Sequence, residues 1–269
     1  SSILSTPGRK EPSFERGSLS GEFFLPDPVD LFSRLVCPLA ACLCSFPTCR
    51  ANDIPSWEEM GFSMKIVAIN ASPKKGGALS TLIAETVRTA REQGAEVELL
   101  RLADLDIRYC RFCMTCYADT ESPIGTCPQD DDMRWILPAL READGYILGT
   151  QVSSGHANAI MKTFIERCAY TAGSSKGKLL WLKGLPTTRF TDRRRFAVTL
   201  ATAGTMPSWL RFLCDTATSQ MKETARLSFN ARVVGTLYAG EQTFRGLVDS
   251  DIRKAGMLGE RLVSAIKTS

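Results

Sequence analysis

The sequence predicts a doubly wound parallel α/β sheet, and three observations point to it. From Met64 onward, apolar runs without alternation recur between amphipathic stretches of helical period, as expected for strands covered on both faces. A loop of small and basic residues joins the first such run to the first helix. The chain has 269 residues, 44% of them apolar and 23% charged, enough for a full hydrophobic core.

The elements follow in order. Residues 65–71 form the first strand, and a helix over 80–93 places Leu82, Ile83, Val87 and Ala90 on one side before Gly94 stops it. Val97–Leu102 is the second strand. After a cysteine-bearing loop, Asp132–Ala143 reads as a helix and Gly145–Gly149 as a third, wholly apolar strand. Asn158–Tyr170 is a helix with Ile160, Met161, Phe164 and Ile165 inward and a Lys162/Glu166 pair outward. Phe196–Ala201 is the fourth strand, Trp209–Arg226 a helix and Ala231–Tyr238 the fifth strand. A last helix carries Ile252, Ala255, Gly259, Leu262 and Ile266 at helical spacing. Right-handed crossovers between such strands put ligands at their carboxyl ends, near the point where the strand order reverses.

Residues 1–63 differ in character. They are rich in Ser, Pro and Gly, carry no clear period, and hold five Lys/Arg against eight Asp/Glu, a net −3 that leaves +7 on residues 64–269. They read as an N-terminal extension outside the functional domain, disordered or foreign to the natural product, with residues 64–269 as the domain proper. Leu31–Phe46 is a short apolar segment broken by Arg34 and Pro38. The nearby Cys37, Cys42, Cys44 and Cys49 form no C-x-x-C pair, so they read as incidental thiols. Leu39-Ala-Ala-Cys42 resembles a lipoprotein cleavage box but lacks the basic and apolar flanks of one. No run approaches the roughly eighteen apolar residues of a membrane span. A membrane partner is therefore not expected, and the location expected is cytoplasmic. The mild positive charge suits phosphorylated cofactors and is too weak to argue for nucleic acid. A single histidine, His156, excludes a multi-histidine metal site.

Three loops would carry the chemistry. Ser72–Ser80 opens a helix with small residues and lysine, so backbone N–H groups, the helix dipole and a cation favour an anion, usually a phosphate. It has neither the Gly-Lys-Ser/Thr ending of a nucleoside-triphosphate loop nor the three-glycine dinucleotide spacing. Thr150–Asn158 and Thr202–Trp209 follow the third and fourth strands and can border a ring. Together the three suit a planar, phosphorylated cofactor. Ser154 and His156 lack the glycine pattern of a nucleophile elbow, so a hydrolase is disfavoured.

Cys110, Cys113 and Cys116 stand at C-x2-C-x2-C spacing, with ten residues between Cys116 and Cys127. Three such thiolates can take three corners of a cubane [4Fe–4S] cluster and a fourth completes it, whereas zinc prefers two separated knuckles. Structural thiols are the other reading, and Cys168 and Cys214 read as core residues in helices. Lys176–Arg195 holds seven basic residues and one acidic, with Trp181 among them. It reads as a solvated insertion, with a lid, a dimer contact or a dock for the phosphates of NADPH as the alternatives.

Lys65–Leu82, the cysteine loop ending in Asp130-Asp-Asp-Met133, the Ala143–Thr150 strand and Met161-Lys-Thr-Phe-Ile-Glu-Arg167 together resemble the NAD(P)H-dependent FMN reductase group of flavodoxin-like proteins, close to the iron-sulfur flavoproteins. The resemblance covers residues 64–269. It implies a flavodoxin-like, five-stranded parallel sheet in the order 2-1-3-4-5 with helices on both faces. It also implies FMN as cofactor, NAD(P)H as electron donor and a homodimer or homotetramer. Ser72, Lys74, Gly77, Ser80 and Thr81 would meet the flavin phosphate, and Gln151, Val152, Ser153, Ser154 and Gly204 would border the ring. Ala78 and Leu79 replace the family's usual Asn-Thr, and Thr150-Gln-Val-Ser153 lacks its proline and tyrosine, leaving Tyr117 or Trp209 to stack on the ring. The activity implied is an FMN-dependent NAD(P)H oxidoreductase serving a small-molecule or protein electron acceptor, with no side chain acting as a catalytic acid or base. The alternatives are an iron-sulfur flavoprotein electron carrier with its cluster on Cys110–Cys127, and a flavin-free binding module on the same fold.

Overall fold

In the computed structural model, which describes residues 63–176 and 187–269, five strands run parallel in one sheet. They are β1 (Met64–Asn70), β2 (Ala95–Arg101), β3 (Gly145–Ser153), β4 (Arg195–Thr202) and β5 (Ala231–Ala239). Their spatial order is β2-β1-β3-β4-β5, the flavodoxin-like order that the resemblance implied. The direction of winding reverses between β1 and β3, which pair in register from Ile66/Gly145 to Asn70/Gly149. The helices that flank the sheet are α1 (Ala78–Glu92), α2 (Met133–Glu142), α3 (Ala159–Cys168), α4 (Thr216–Leu227) and α5 (Asp249–Lys267).

Strand alternation divides the core into two layers. Ile66, Ala68, Ile147, Val198 and Leu237 face Leu82, Ile83 and Val87 of α1 and Leu258 and Leu262 of α5. Val67, Ile69, Tyr146 and Leu148 face the other way, onto Met133 and Ile136 of α2, Met161 and Phe164 of α3 and Met221 of α4. Cys168 lies wholly inside this second layer, where burial pushes its thiol pKa up and makes it a core residue. Helices α1 and α5 touch almost backbone to backbone. The hydroxyls of Thr86 and Thr89 donate to the carbonyls of Ala255 and Gly256 at 3.0 and 2.9 Å. A Cβ on Gly259 would collide with Thr89 Oγ1 and the Thr86 carbonyl, so only glycine admits this approach.

Two expected elements change. Trp209–Arg226 is not one helix: a 3-10 segment, Ser208–Leu213, is followed by α4, which starts where the Asp215 side chain accepts from Thr218 N at 2.9 Å. That capping bond ends the first segment and starts the second. Cys214 is consequently the half-buried residue that closes the 3-10 turn. The loop expected over Thr150–Asn158 is mostly strand. β3 runs on to Ser153 and turns through Ser154 and Gly155, both at positive φ (49° and 84°), so that His156–Ala157 pairs back on it. A two-residue turn with both φ positive matches the strand twist, which explains the Ser-Gly pair at its tip.

Much of the basic stretch before β4 is structural. Arg195 is completely buried: its Nε donates to the Ala143 carbonyl at 2.9 Å, its Nη1 to Phe190 and Arg193 carbonyls, and its Nη2 to the Arg141 carbonyl and Asp192. It thereby closes the carbonyl end of α2, where a cation is favoured. Residues 177–186 of that insertion, Trp181 among them, lie outside the described residues, as do residues 1–62 with Cys37, Cys42, Cys44 and Cys49. Among the described residues, no helix is long and apolar enough to cross a membrane.

Candidate functional site

The turn from β1 into α1 is held by its own polar side chains. Asn70, buried at the end of β1, accepts from Ser72 N at 2.9 Å and donates to Ser80 Oγ at 3.2 Å. The hydroxyls of Ser72 and Ser80 both donate to the Lys74 carbonyl at 2.9 Å. These two serines therefore shape the loop from within and do not point their hydroxyls outward. What the turn leaves free is backbone: α1 starts at Gly77 with no side-chain cap, so its first N–H groups lack an acceptor among the described residues. Lys74 and Lys75 are exposed beside them. Thr81 is one turn into the helix, where its N–H and hydroxyl return to the Gly77 carbonyl. An anion set on Gly77–Leu79 would meet free N–H groups, a helix N-terminus and lysine charge.

Asn158 ties the second loop to the first. Its Oδ1 caps α3 by accepting from Met161 N at 2.9 Å, and its Nδ2 donates to the Ala71 carbonyl at 2.7 Å. Gln151 and Val152 are half-buried on the extension of β3, while Ser153 and Ser154 are exposed at the hairpin tip. His156 is exposed, and its Nδ1 meets the Ser154 carbonyl at 2.9 Å rather than a serine hydroxyl, so no nucleophile–base pair forms. Beyond β4, Gly204 accepts from Thr243 N at 2.9 Å, which joins the third loop to a fourth one after β5. Gln242 belongs to that fourth loop. Its N–H donates to the Ala203 carbonyl, and its buried Oε1 has no partner among the described residues. Sequence reasoning assigned nothing to Asn70, Asn158 or Gln242. The residue after β3 that caps the next helix was the available signal for Asn158.

The cysteine loop forms a second centre. Cys110, Cys113, Cys116 and Cys127 line one cavity of about 260 Å³, and Arg167 and Tyr170 also line it. Phe112 and Met114 flank Cys113 at positive φ (52° and 61°), a conformation uncommon outside glycine. The long gap before Cys127 is braced. Asp119 accepts from Ser122 N, Thr126 N and Thr126 Oγ1 at 3.1, 2.9 and 2.7 Å, bonds that hold its carboxyl far below the ordinary range. Arg189, itself buried, donates to the carbonyls of Cys116, Asp119, Ser122 and Gly173 and so clamps the loop to the body of the fold.

The sulfurs sit in unlike surroundings. Cys113 is exposed, and a hydrogen bond from the Thr115 hydroxyl at 3.4 Å, helped by the Thr115 N–H, lowers its pKa. Burial, then the neighbouring Cys127, Cys110 and Cys113, raise that of Cys116. Tyr117 packs edge-on against Tyr170 at 5.1 Å and so belongs to this centre. Among the described residues, no three His, Cys, Asp or Glu side chains converge as ligands of one ion. Four thiols around a cavity suit a group of several atoms better than a single metal ion. The two centres are separate: Asn158 and Arg167 bracket α3, nine residues or about 14 Å apart along a helix.

Residues 64–188 match the model of a family described as NADPH-dependent FMN reductase. An iron-sulfur flavoprotein of Methanocaldococcus jannaschii is 36% identical over 104 residues, which are 39% of this chain and 51% of that protein. One from Archaeoglobus fulgidus is 37% identical over 106 residues, 39% of this chain and 48% of that protein. The chain thus spans about half the length of the curated relatives it matches. An azoreductase from Bacillus anthracis superimposes with a TM-score of 0.53 at 14% identity, covering 77% of this chain and 100% of that one, a likeness in fold.

Proposed function

Residues 64–188 match the model of the NADPH-dependent FMN reductase family, and on that premise we propose that the chain is an FMN-dependent NAD(P)H oxidoreductase that passes electrons to a small-molecule or protein acceptor. The observation that carries the reading is the uncapped start of α1 behind a loop whose serines are turned inward onto Lys74. Such a turn offers backbone N–H groups and lysine to a terminal phosphate, at the edge where the winding reverses. FMN, when bound, supplies hydride acceptance at its N5 and delivery of electrons to an acceptor.

The chain's own residues then bind and orient. Backbone N–H groups of Gly77–Leu79 with Lys74 hold the phosphate, while Ser72, Ser80 and Thr81 keep the turn in shape. The hairpin at Gln151–Ser154 and the paired loops at Gly204 and Gln242 border the ring, and the unpartnered Gln242 Oε1 offers an acceptor to a ring N–H. Trp209, Phe212, Leu213 and Phe244 are exposed on the loops after β4 and β5. That apolar edge supports a homodimer or homotetramer with the flavin near the contact. The free thiols of the described residues suit a reducing, cytoplasmic setting.

A second reading is favoured by the four cysteines on one cavity: an electron carrier that holds a [4Fe–4S] cluster as well as FMN. Relatives named iron-sulfur flavoproteins support it. Anaerobically purified protein should show a flavin spectrum, release FMN in acid and be bleached by NADPH. A colourless protein that takes up no added FMN would remove the first reading and leave a flavin-free binding module. Iron and acid-labile sulfide at about four each per chain would establish the second. A chain lacking residues 1–63 should keep its flavin content, as expected if that segment lies outside the functional domain.

A further inference from the structure

We propose that Arg167 is the positioning residue of the cysteine cavity: it donates to the Cys127 sulfur and supplies the buried positive charge that sets the reduction potential of a cluster bound there. The proposal rests on the iron–sulfur reading above. Arg167 is 3% exposed and lines the cavity together with all four cysteines. Its Nη2 donates to Cys127 Sγ at 3.5 Å and to Asp131 Oδ1 at 3.0 Å, and its Nη1 donates to Asp131 Oδ2 and to the Arg108 carbonyl. The Asp131 side chain is inaccessible and also accepts from Arg108 N and Met133 N, so the guanidinium is gripped from both ends of the cysteine loop. Arg167 Nε is buried and has no partner among the described residues.

A buried ion pair that also touches a thiol is more than a loop anchor. Arg189 already clamps the same loop through carbonyls, with no acidic partner and no sulfur contact among the described residues. A cysteine-ligated cubane is anionic, and its potential responds to net charge, to hydrogen bonds on sulfur and to solvent. One-electron reduction adds a negative charge and breaks no bond. A fixed cation beside Cys127 therefore favours the reduced form, and Asp131 offsets part of that effect. Arginine stays charged at every working pH, so the bias is permanent. The cavity is also asymmetric: Cys127 faces the cation, while Cys113 faces solvent and a threonine hydroxyl.

The two partners predict shifts of opposite sign. The full chain is reconstituted anaerobically with ferrous iron and sulfide, then titrated with dithionite while its absorbance and electron paramagnetic resonance spectrum are followed. Arg167→Gln should move the cluster potential down, Asp131→Asn should move it up, and Arg167→Lys should lie nearer wild type than Arg167→Gln. A purely structural role would make both neutral variants lose iron alike, with the remaining cluster at the wild-type potential, and that overturns the proposal. Should Arg167→Gln not fold, the upward shift in Asp131→Asn decides, and its absence overturns the proposal. Wild-type protein that takes up no iron and sulfide overturns the iron–sulfur reading and the proposal together. A wild-type cluster whose potential ignores both substitutions overturns the proposal alone.

Discussion

Asn158 donates its side-chain amide to the Ala71 carbonyl at 2.7 Å while capping α3 with its side-chain oxygen, so one residue joins the loops after β1 and β3 across the sheet's carboxyl edge. The same Ala71 donates its N–H to the Gly149 carbonyl at 3.0 Å. Any group held by the first loop is thereby placed relative to the hairpin of the second.

The two bonds of Asn158 can be separated. Asn158→Ser keeps a hydroxyl acceptor for the helix cap and loses the donor to Ala71, so it should lose about 1 kcal/mol of stability, the contribution of one neutral hydrogen bond, and bind FMN more weakly because the two loops are no longer tied. Asn158→Ala should add a stability loss of about 1 kcal/mol by removing the cap. Flavin-fluorescence titration beside thermal melts measures both, and equal affinities in the Asn158→Ser variant and the wild type would show that the tie to Ala71 does not position the flavin.

Lys74 tests whether the anion held is the flavin phosphate. Lys74→Ala should weaken FMN about three- to tenfold, the loss of one partly exposed charge–phosphate contact, and leave riboflavin binding unchanged. Equal weakening of both flavins would place Lys74 near the ring instead.

The Asp192–Arg195 pair sets a pH dependence with a definite sign. Burial pushes the Asp192 carboxyl up, but hydrogen bonds from Arg195 and its charge outweigh that and hold it below the usual range. An aspartate depressed on folding adds stability above its unfolded value, about 3.9, and loses that stability as pH falls through the folded value. Wild-type stability should therefore be flat from neutral pH to about pH 5 and decline below about pH 4. Asp192→Asn should cost about 1 kcal/mol at pH 7, because Asp192 is partly solvated, and should converge on wild type as pH falls through the folded value. Urea unfolding across that range measures the difference, and a gap that stays constant would contradict the pairing.

Helix packing gives the largest stability effect. Gly259→Leu forces α1 and α5 apart against the Thr89 hydroxyl and the Thr86 carbonyl, and should cost about 3 kcal/mol or more, whereas Gly246→Ala meets no atom within 4 Å and is limited to the strain of its φ of 67°. Denaturant midpoints of the two variants rank them, and an equal cost would argue against the close crossing.

Hydrophobic periodicity determined the architecture because burial is written residue by residue. Ile66 and Ala68 face one layer and Val67 and Ile69 the other, and this two-sided burial is what an unbroken apolar strand encodes. The turn from β1 into α1 and the cysteine spacing were legible for a similar reason, since each is a local pattern within a few residues of chain. Tertiary structure alone decided what the arginines do. Arg189 and Arg195 sit in a stretch whose basic composition suggests a solvated surface, yet both are buried and satisfied by carbonyls. Every residue carries a carbonyl, so an arginine's choice among them leaves no trace in sequence. Ser72 and Ser80 belong to the same class: their residue type suggests hydroxyls offered to an anion, but only the fold shows those hydroxyls turned inward onto Lys74. Arg167 meets Asp131 and Cys127 only because the loop after β2 closes against the end of α3, which joins groups 36 and 40 residues apart in the chain.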